Sequence, residues 1–286
     1  MLMKSTETSM SLKNLLFRFK WRISLTFTLV LLETLLDLLY PLFIGWTIND
    51  LLNDQMRGVY FLTVLGITSL IVGSARRFYD TRIYAGIYQI VSCEMVVREQ
   101  AKGQSVSTIT ARARLLTEFV EFLENSMPDV VGSVVGLAGV LIIIMSLNVN
   151  VFLACLALLA LIGLIYTFTG RFNYSFNAGY NAELERQVDA IAQVGVSGVN
   201  AHFSKLMRWN IKLSDLETGN YFFIWSGVIA LFVYTPITVI GEGETNYGLI
   251  FSLLMYVFDY IEKTATLPLY VQQLIRLKEI SARLSR

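Results

Sequence analysis

The 286 residues are 55% hydrophobic and only 16% charged, with a mean hydropathy of +0.56 and a net charge of +1. A soluble domain carries about 25% charged residues, so this composition excludes a soluble enzyme and predicts an integral membrane protein. The near-neutral charge gives no reason to expect a nucleic-acid partner. Cys93 and Cys155 lie in apolar helical context and are interpreted as packing residues. The single histidine, His202, cannot build a metal site alone.

Six apolar stretches are long enough to cross the roughly 30 Å hydrocarbon layer of a bilayer. Acidic residues interrupt the first and the last of them. The stretches are residues 23–42, 58–75, 130–147, 151–170, 221–240 and 247–267. We therefore predict an all-α membrane protein with six transmembrane helices.

Basic residues predict the orientation of these helices. Of the 23 Lys and Arg residues, 22 precede span 1, follow span 2, separate spans 4 and 5, or lie in or after the inner half of span 6. Only Arg57 falls on the other side. The positive-inside rule then places both termini in the cytoplasm, which for a bacterial protein means insertion in the inner membrane.

The inner connections, residues 76–127 and 171–220, are much longer than the outer ones and contain no proline. Apolar residues recur at helical spacing within them, so each connection is predicted to form a tall intracellular helical hairpin. Residues 1–20 contain a basic amphipathic stretch that suits an interfacial elbow helix, ahead of a transmembrane domain at 21–286.

This organisation resembles the transmembrane domain of ABC exporters. Residues 101–124 resemble the segment that follows the family's first coupling helix, residues 199–208 the second coupling helix, and residues 267–284 the end of span 6. The resemblance implies a homodimer that surrounds a central pathway, with coupling-helix candidates at Gly103, Val199, His202 and Phe203.

Most exporters of this kind continue into a nucleotide-binding domain, but no G-x-x-x-x-G-K-[ST] motif occurs in these 286 residues. We therefore expect no ATP hydrolysis, and no cofactor, in this chain itself. In this respect the sequence resembles bacterial peptide-uptake transporters, which keep the exporter-like membrane fold but use the proton gradient. A separate ATPase subunit that docks on the hairpins remains an alternative source of energy, and a non-transporting scaffold or regulatory subunit is a further alternative.

Acidic residues inside predicted spans are the candidate site. Glu33 and Asp37 are four residues apart and share one helical face with Tyr40. Glu33 lies about 16 Å along the helix from Arg22, near mid-membrane, where an ionised acid costs roughly 2.5–3.5 kcal/mol. Such a pair suits a proton-carrying or cation-binding site, although it would also suit a wet cavity or a pair with Lys263.

Span 6 offers a second polar stripe. Asp259 and Lys263 have the spacing of a local ion pair, and the stripe also includes Tyr256 and Tyr270, with Glu262 beside it. Because spans 1 and 6 both line the pathway in the resembled family, a shared cavity is expected. Arg76 and Arg77, at the end of span 2, are interpreted as interface anchors.

Overall fold

A computed structural model describes residues 17–192 and 196–284, which are helical throughout apart from short turns. Eight α-helices and one π-helical turn follow one another along this part of the chain. They are α1 (Lys20–Leu52), α2 (Arg57–Ala101), α3 (Val106–Glu121), the π-helical turn (Phe122–Ser126), α4 (Met127–Leu147), α5 (Val149–Glu185), α6 (Gln187–Ala192), α7 (Val196–Gly241) and α8 (Tyr247–Leu284).

The helices belong to two compact units. The first unit contains the described residues up to Ile144 and those from Thr245 onward, and the second contains Met145–Glu244. The first unit thus holds α1 to α3, α4 as far as Ile144, and α8, and the second holds the last three residues of α4 with α5, α6 and α7.

In the first unit, α1 and α8 cross at a point where no side chain separates them. A Cβ atom on Gly248 would overlap the carbonyl oxygen of Gly45, and a Cβ atom on Gly45 would overlap Ser252. Ser252 Oγ donates a hydrogen bond to the Pro41 carbonyl at 2.7 Å, and Tyr256 Oη donates one to the Leu38 carbonyl at 2.6 Å. These bonds, made one turn apart, fix α8 antiparallel to α1.

The helices α2 and α3 form a hairpin whose turn has a buried ionic cluster. The chain reverses at residues 102–105, where Gly103 adopts a φ of +70°, a conformation that favours glycine. Glu99, 3% exposed, contacts Lys102 Nζ at 3.0 Å and Arg112 Nη1 at 2.6 Å. Ser105 caps α3 by accepting a hydrogen bond from the Thr108 backbone N–H.

An apolar core fills the space between α2, α3 and the start of α1. Its largest members include Tyr84, Leu116 and Phe119, and the aromatic ring of Phe19 packs against it from the segment before α1. Arg18 reinforces this docking with two hydrogen bonds to the Glu94 carboxylate, at 2.7 and 2.9 Å. The expected elbow helix lies mostly at residues 1–16, outside the described residues.

Glycines on α4 leave room for side chains of α1 and α8. The glycines at positions 132, 136 and 139 face the side chains of Thr34, Lys263 and Leu38, respectively, which occupy the space that a Cβ atom would need. The π-helical turn directly precedes α4, and Pro128 lies in the first turn of α4. A π-helical turn widens the helix locally, and turns of this kind are frequent at functional sites.

In the second unit, α5 and α7 pack antiparallel along their length. At one end, the Glu242 carboxylate accepts hydrogen bonds from the side-chain amides of Asn148 and Asn150, each at 2.6 Å. Farther along, the Trp209 ring packs over Gly179. The chain reverses between Glu185 and Val196, and the short α6 lies within this connection.

Five helical stretches in the described part of the chain are long and apolar enough to cross a membrane. They are residues 20–52, 57–101, 106–147, 149–192 and 198–241. The helix α8 has the length to span but is not among these five, and its central segment contains Asp259, Glu262 and Lys263. Their length and apolar composition support a protein that is integral to the membrane, and the described part of the chain is helical apart from short turns.

Candidate functional site

A cavity of about 250 Å³ opens among α1, α2, α4 and α8 of the first unit. Charged and polar side chains dominate its wall, with a few apolar neighbours. The lining residues are Val30, Glu33, Thr34, Asp37, Leu38, Arg76, Pro128, Asp129, Gly132, Ser133, Asp259, Lys263 and Tyr270. At about 30 Å³ per molecule, the cavity has room for about eight waters or a small organic group.

Glu33 is held in this wall by an arginine from the neighbouring helix. Arg76 Nε lies 2.5 Å from Glu33 Oε2, and the two side chains are 17% and 20% exposed. Arg77 Nη2 lies 3.9 Å from the other carboxylate oxygen but is 72% exposed, so it contributes little. Arg76 is therefore the counter-ion of Glu33, and the sequence-based interpretation of Arg76 as an interface anchor is wrong.

Asp37 lies one turn along α1 from Glu33 and lines the same cavity. Within the described residues, no lysine or arginine nitrogen lies within 4.0 Å of the carboxylates of Asp37 or Asp129. The wall thus contains four carboxylates and two basic groups, a composition that favours bound cations or protons over anions.

The local ion pair expected in span 6 is present. Lys263 Nζ donates a hydrogen bond to Asp259 Oδ1 at 2.8 Å, and both side chains are about three-quarters buried. The lysine chain lies over Gly136, where a larger residue would displace it. This pair forms the α8 side of the cavity, opposite the acids of α1.

Three residues of the predicted site lie elsewhere. Tyr256 is fully buried and uses its hydroxyl to bind the α1 backbone, so it acts in helix packing. Tyr40 is half-buried, with its hydroxyl directed towards Gly66 of α2. Glu262 is exposed and does not line the cavity.

The sequence did not predict two other polar residues of the wall as members of the site. Asp129 and Ser133 come from the first turns of α4, and Ser133 Oγ donates a hydrogen bond to Tyr270 Oη at 2.9 Å. The available signal was the i, i+4 spacing of Asp129 and Ser133 on the face that carries Gly132 and Gly136.

The predicted coupling-helix residues divide into two cases. Gly103 lies in the turn between α2 and α3, as expected of a hairpin tip. Val199, His202 and Phe203 lie inside α7, whereas the second reversal occurs earlier, between Glu185 and Val196. His202 is 5% exposed and its Nδ1 atom lies 3.0 Å from Glu183 Oε1, so it links α7 to α5 inside the hairpin.

Comparison with known proteins agrees with this architecture. No curated protein matches the chain. The family profile of the ABC transporter transmembrane region matches residues 12–248, which is more than half of the chain and includes α1 to α7. The chain therefore belongs to the ABC transporter transmembrane region family.

Proposed function

We propose that this chain is a membrane transporter subunit that moves a small molecule or peptide by alternating access, coupled to protons or cations through Glu33 and Asp37. Family membership and the membrane-spanning helices support the transport role. The single observation that carries the coupling role is the cavity, whose four carboxylates exceed its two basic groups. An excess of negative charge inside a membrane protein is stabilised when a proton or an organic cation enters.

The proposed topology has six spans with both termini in the cytoplasm of a bacterial inner membrane. The helix α8 supports the sixth span, because its bonds to the Leu38 and Pro41 carbonyls fix it antiparallel to α1, which spans. In this topology residues 1–20 form the interfacial elbow, and the two hairpins project into the cytoplasm. The remainder, residues 21–286, forms the transmembrane domain.

The proposed assembly is a homodimer. Asp37 and Asp129 line the cavity and are nevertheless exposed in the single chain, so the cavity is open on their side. A carboxylate that faced lipid would cost about 2.5–3.5 kcal/mol, whereas a second copy with a water-filled space between them would remove this cost. We therefore place the open side of the cavity towards the partner copy.

A separate ATPase subunit is the second candidate source of energy. The observation that favours this candidate is the turn between α2 and α3, which is stabilised by the ion pairs of Glu99 with Lys102 and Arg112. A rigid turn can transmit force from a docked subunit, which a loose loop cannot do. ATP hydrolysis would then belong to that partner.

The test uses purified protein in nucleotide-free vesicles with an imposed pH gradient and an enclosed pH-sensitive dye. The wild-type protein should dissipate the gradient faster than protein-free vesicles do, and Glu33→Gln should reduce the rate to that background. The matched control Glu217→Gln, at an exposed site on α7, should behave as wild type.

Equal proton flux in the wild type and Glu33→Gln would reject proton coupling. Uptake of an organic cation such as ethidium, only in the presence of an added ATPase subunit and ATP, would then establish the second candidate. A folded dimer that moves neither protons nor ethidium under both conditions would favour a scaffold or regulatory subunit.

A further inference from the structure

Arg76 faces a second carboxylate behind the cavity wall. Its Nη1 atom lies 3.6 Å from Asp80 Oδ2, one turn farther along α2. Asp80 is 5% exposed and accepts a hydrogen bond from Thr26 Oγ1 of α1 at 2.7 Å. One planar guanidinium therefore lies between Glu33, which lines the cavity, and Asp80, which does not.

Neither of these two pairs is complete. Although Arg76 Nε and Glu33 Oε2 are 2.5 Å apart, no acceptor among the described residues is aligned with the buried Nε–H. The Arg76–Asp80 distance exceeds that of a charge-assisted hydrogen bond, about 2.7–2.9 Å, by less than about 1 Å. A small movement of the arginine would therefore complete the pair with Asp80.

We propose that Arg76 is a shared counter-ion, which leaves Glu33 for Asp80 when the Glu33 carboxylate is neutralised by a proton or a bound cation. This inference rests on the proposed coupling role of Glu33. In this proposal Arg76 is a positioning residue, because its contact with Asp80 depends on whether Glu33 in the cavity is charged or neutral. Because Asp80 also binds Thr26, the exchange alters the contact between α1 and α2.

The groups around both carboxylates are compatible with this exchange. Glu33 shares the cavity with charged groups from three other helices and from its own, which are Asp37, Arg76, Asp129, Asp259 and Lys263, while Arg77 approaches from outside. Near Asp80 lie Thr26, Arg76, Tyr84 and Glu124. Within the part of the chain that the structure describes, Arg76 is the one basic side chain with a nitrogen within 4.0 Å of the Asp80 carboxylate.

The exchange has a consequence for energy coupling. Neutralisation of Glu33 releases Arg76, and pairing of Arg76 with Asp80 in turn opposes the return of charge to Glu33. Binding in the cavity and the α1–α2 contact thus influence each other reciprocally, as linkage requires. Arg76 thus has two alternative partners, Glu33 and Asp80, which are the two states that such a coupling element needs.

The experiment follows the guanidinium of Arg76 by NMR of ¹⁵N-arginine-labelled protein in nanodiscs, with the signal assigned by its loss in Arg76→Lys. Glu33→Gln imitates the neutral carboxylate. We expect the Nη protons of Arg76 to exchange about tenfold more slowly in Glu33→Gln than in the wild type at neutral pH, because a charge-assisted bond to Asp80 protects them. Acidification of the wild type should slow the exchange of Arg76 more than that of Arg77, whose side chain is 72% exposed and shows the effect of pH alone.

Two further variants test whether Arg76 moves to Asp80 and whether the effect is specific to Glu33. The double variant Glu33→Gln, Asp80→Asn should restore fast exchange, and Glu217→Gln should leave the signal of the wild type unchanged. The proposal would be overturned by unchanged Arg76 exchange in Glu33→Gln together with acid slowing of Arg76 no greater than that of Arg77. If Glu33→Gln does not fold, acidification of the wild type and of Asp80→Asn supplies the same comparison. Because this readout needs no transport, a failed flux assay would reject the proposed function without deciding the exchange.

Discussion

Arg76 Nε lies 2.5 Å from the carboxylate of Glu33, and this contact joins α2 to α1 at the wall of the cavity. Each of these side chains is charged and mostly buried within a membrane protein. Each charge offsets the cost of burying the other, because an isolated charge in such surroundings would be strongly destabilising. The pair therefore has a structural role as well as the proposed coupling role.

Loss of Arg76 should destabilise the protein more than loss of its neighbour Arg77. Arg76→Gln leaves the mostly buried carboxylate of Glu33 without its counter-ion, and we expect a decrease of about 1–3 kcal/mol in the free energy of unfolding. Arg77→Gln, at an exposed side chain 3.9 Å from Glu33, should change it by less than about 0.5 kcal/mol. Denaturation of the purified protein in detergent measures both.

A double-mutant cycle tests whether the effect of Arg76 acts through Glu33. The double variant Glu33→Gln, Arg76→Gln should be more stable than Arg76→Gln alone, since the charge of Glu33 is no longer left without its counter-ion. Simple additivity of the two single effects would contradict an interaction between these residues.

The crossing of α1 and α8 should not accept a side chain. Gly248→Ala would place a Cβ atom against the Gly45 carbonyl and the Asn49 side chain, and we expect a loss of more than about 2 kcal/mol in stability. Gly219→Ala in α7 provides the matched control, because no atom lies within 4 Å of its added Cβ. The control should be neutral or stabilising by up to about 1 kcal/mol, as measured by thermal unfolding.

The ionic cluster at the α2–α3 turn should determine the order of that turn. Glu99→Gln keeps the size of the side chain but removes both ion pairs, to Lys102 and Arg112. Hydrogen exchange at residues 99–106 should become at least about tenfold faster, whereas Glu121→Gln at an exposed site should leave it unchanged. Equal protection in both variants would show that the cluster does not hold the turn.

Cysteine labelling tests the proposed orientation in intact cells. With Cys93 and Cys155 replaced, a membrane-impermeant thiol reagent should label Thr245→Cys, which lies in the exposed turn between α7 and α8. Gln104→Cys, in the turn between α2 and α3, should react only after the membrane is permeabilised. Reaction of both from outside, or the reverse pattern, would contradict cytoplasmic termini.

The sequence alone determined the class of the protein and most of its helices, because hydropathy depends on composition over about 20 residues and needs no tertiary contact. It also identified Glu33, Asp37, Asp259 and Lys263, since charges within apolar stretches are rare and costly. The i, i+4 spacing was enough to pair Asp259 with Lys263, because both lie on one helix.

Only the tertiary structure decided which residues of different helices meet. The partner of Glu33 is Arg76, 43 positions away, and that pairing depends on how α1 and α2 rotate against each other. The same rotation brings Asp129 and Ser133 into the cavity and turns Tyr256 away from it, towards the α1 backbone. Helical periodicity specifies which residues share a face, but packing of one helix on another decides what that face contacts.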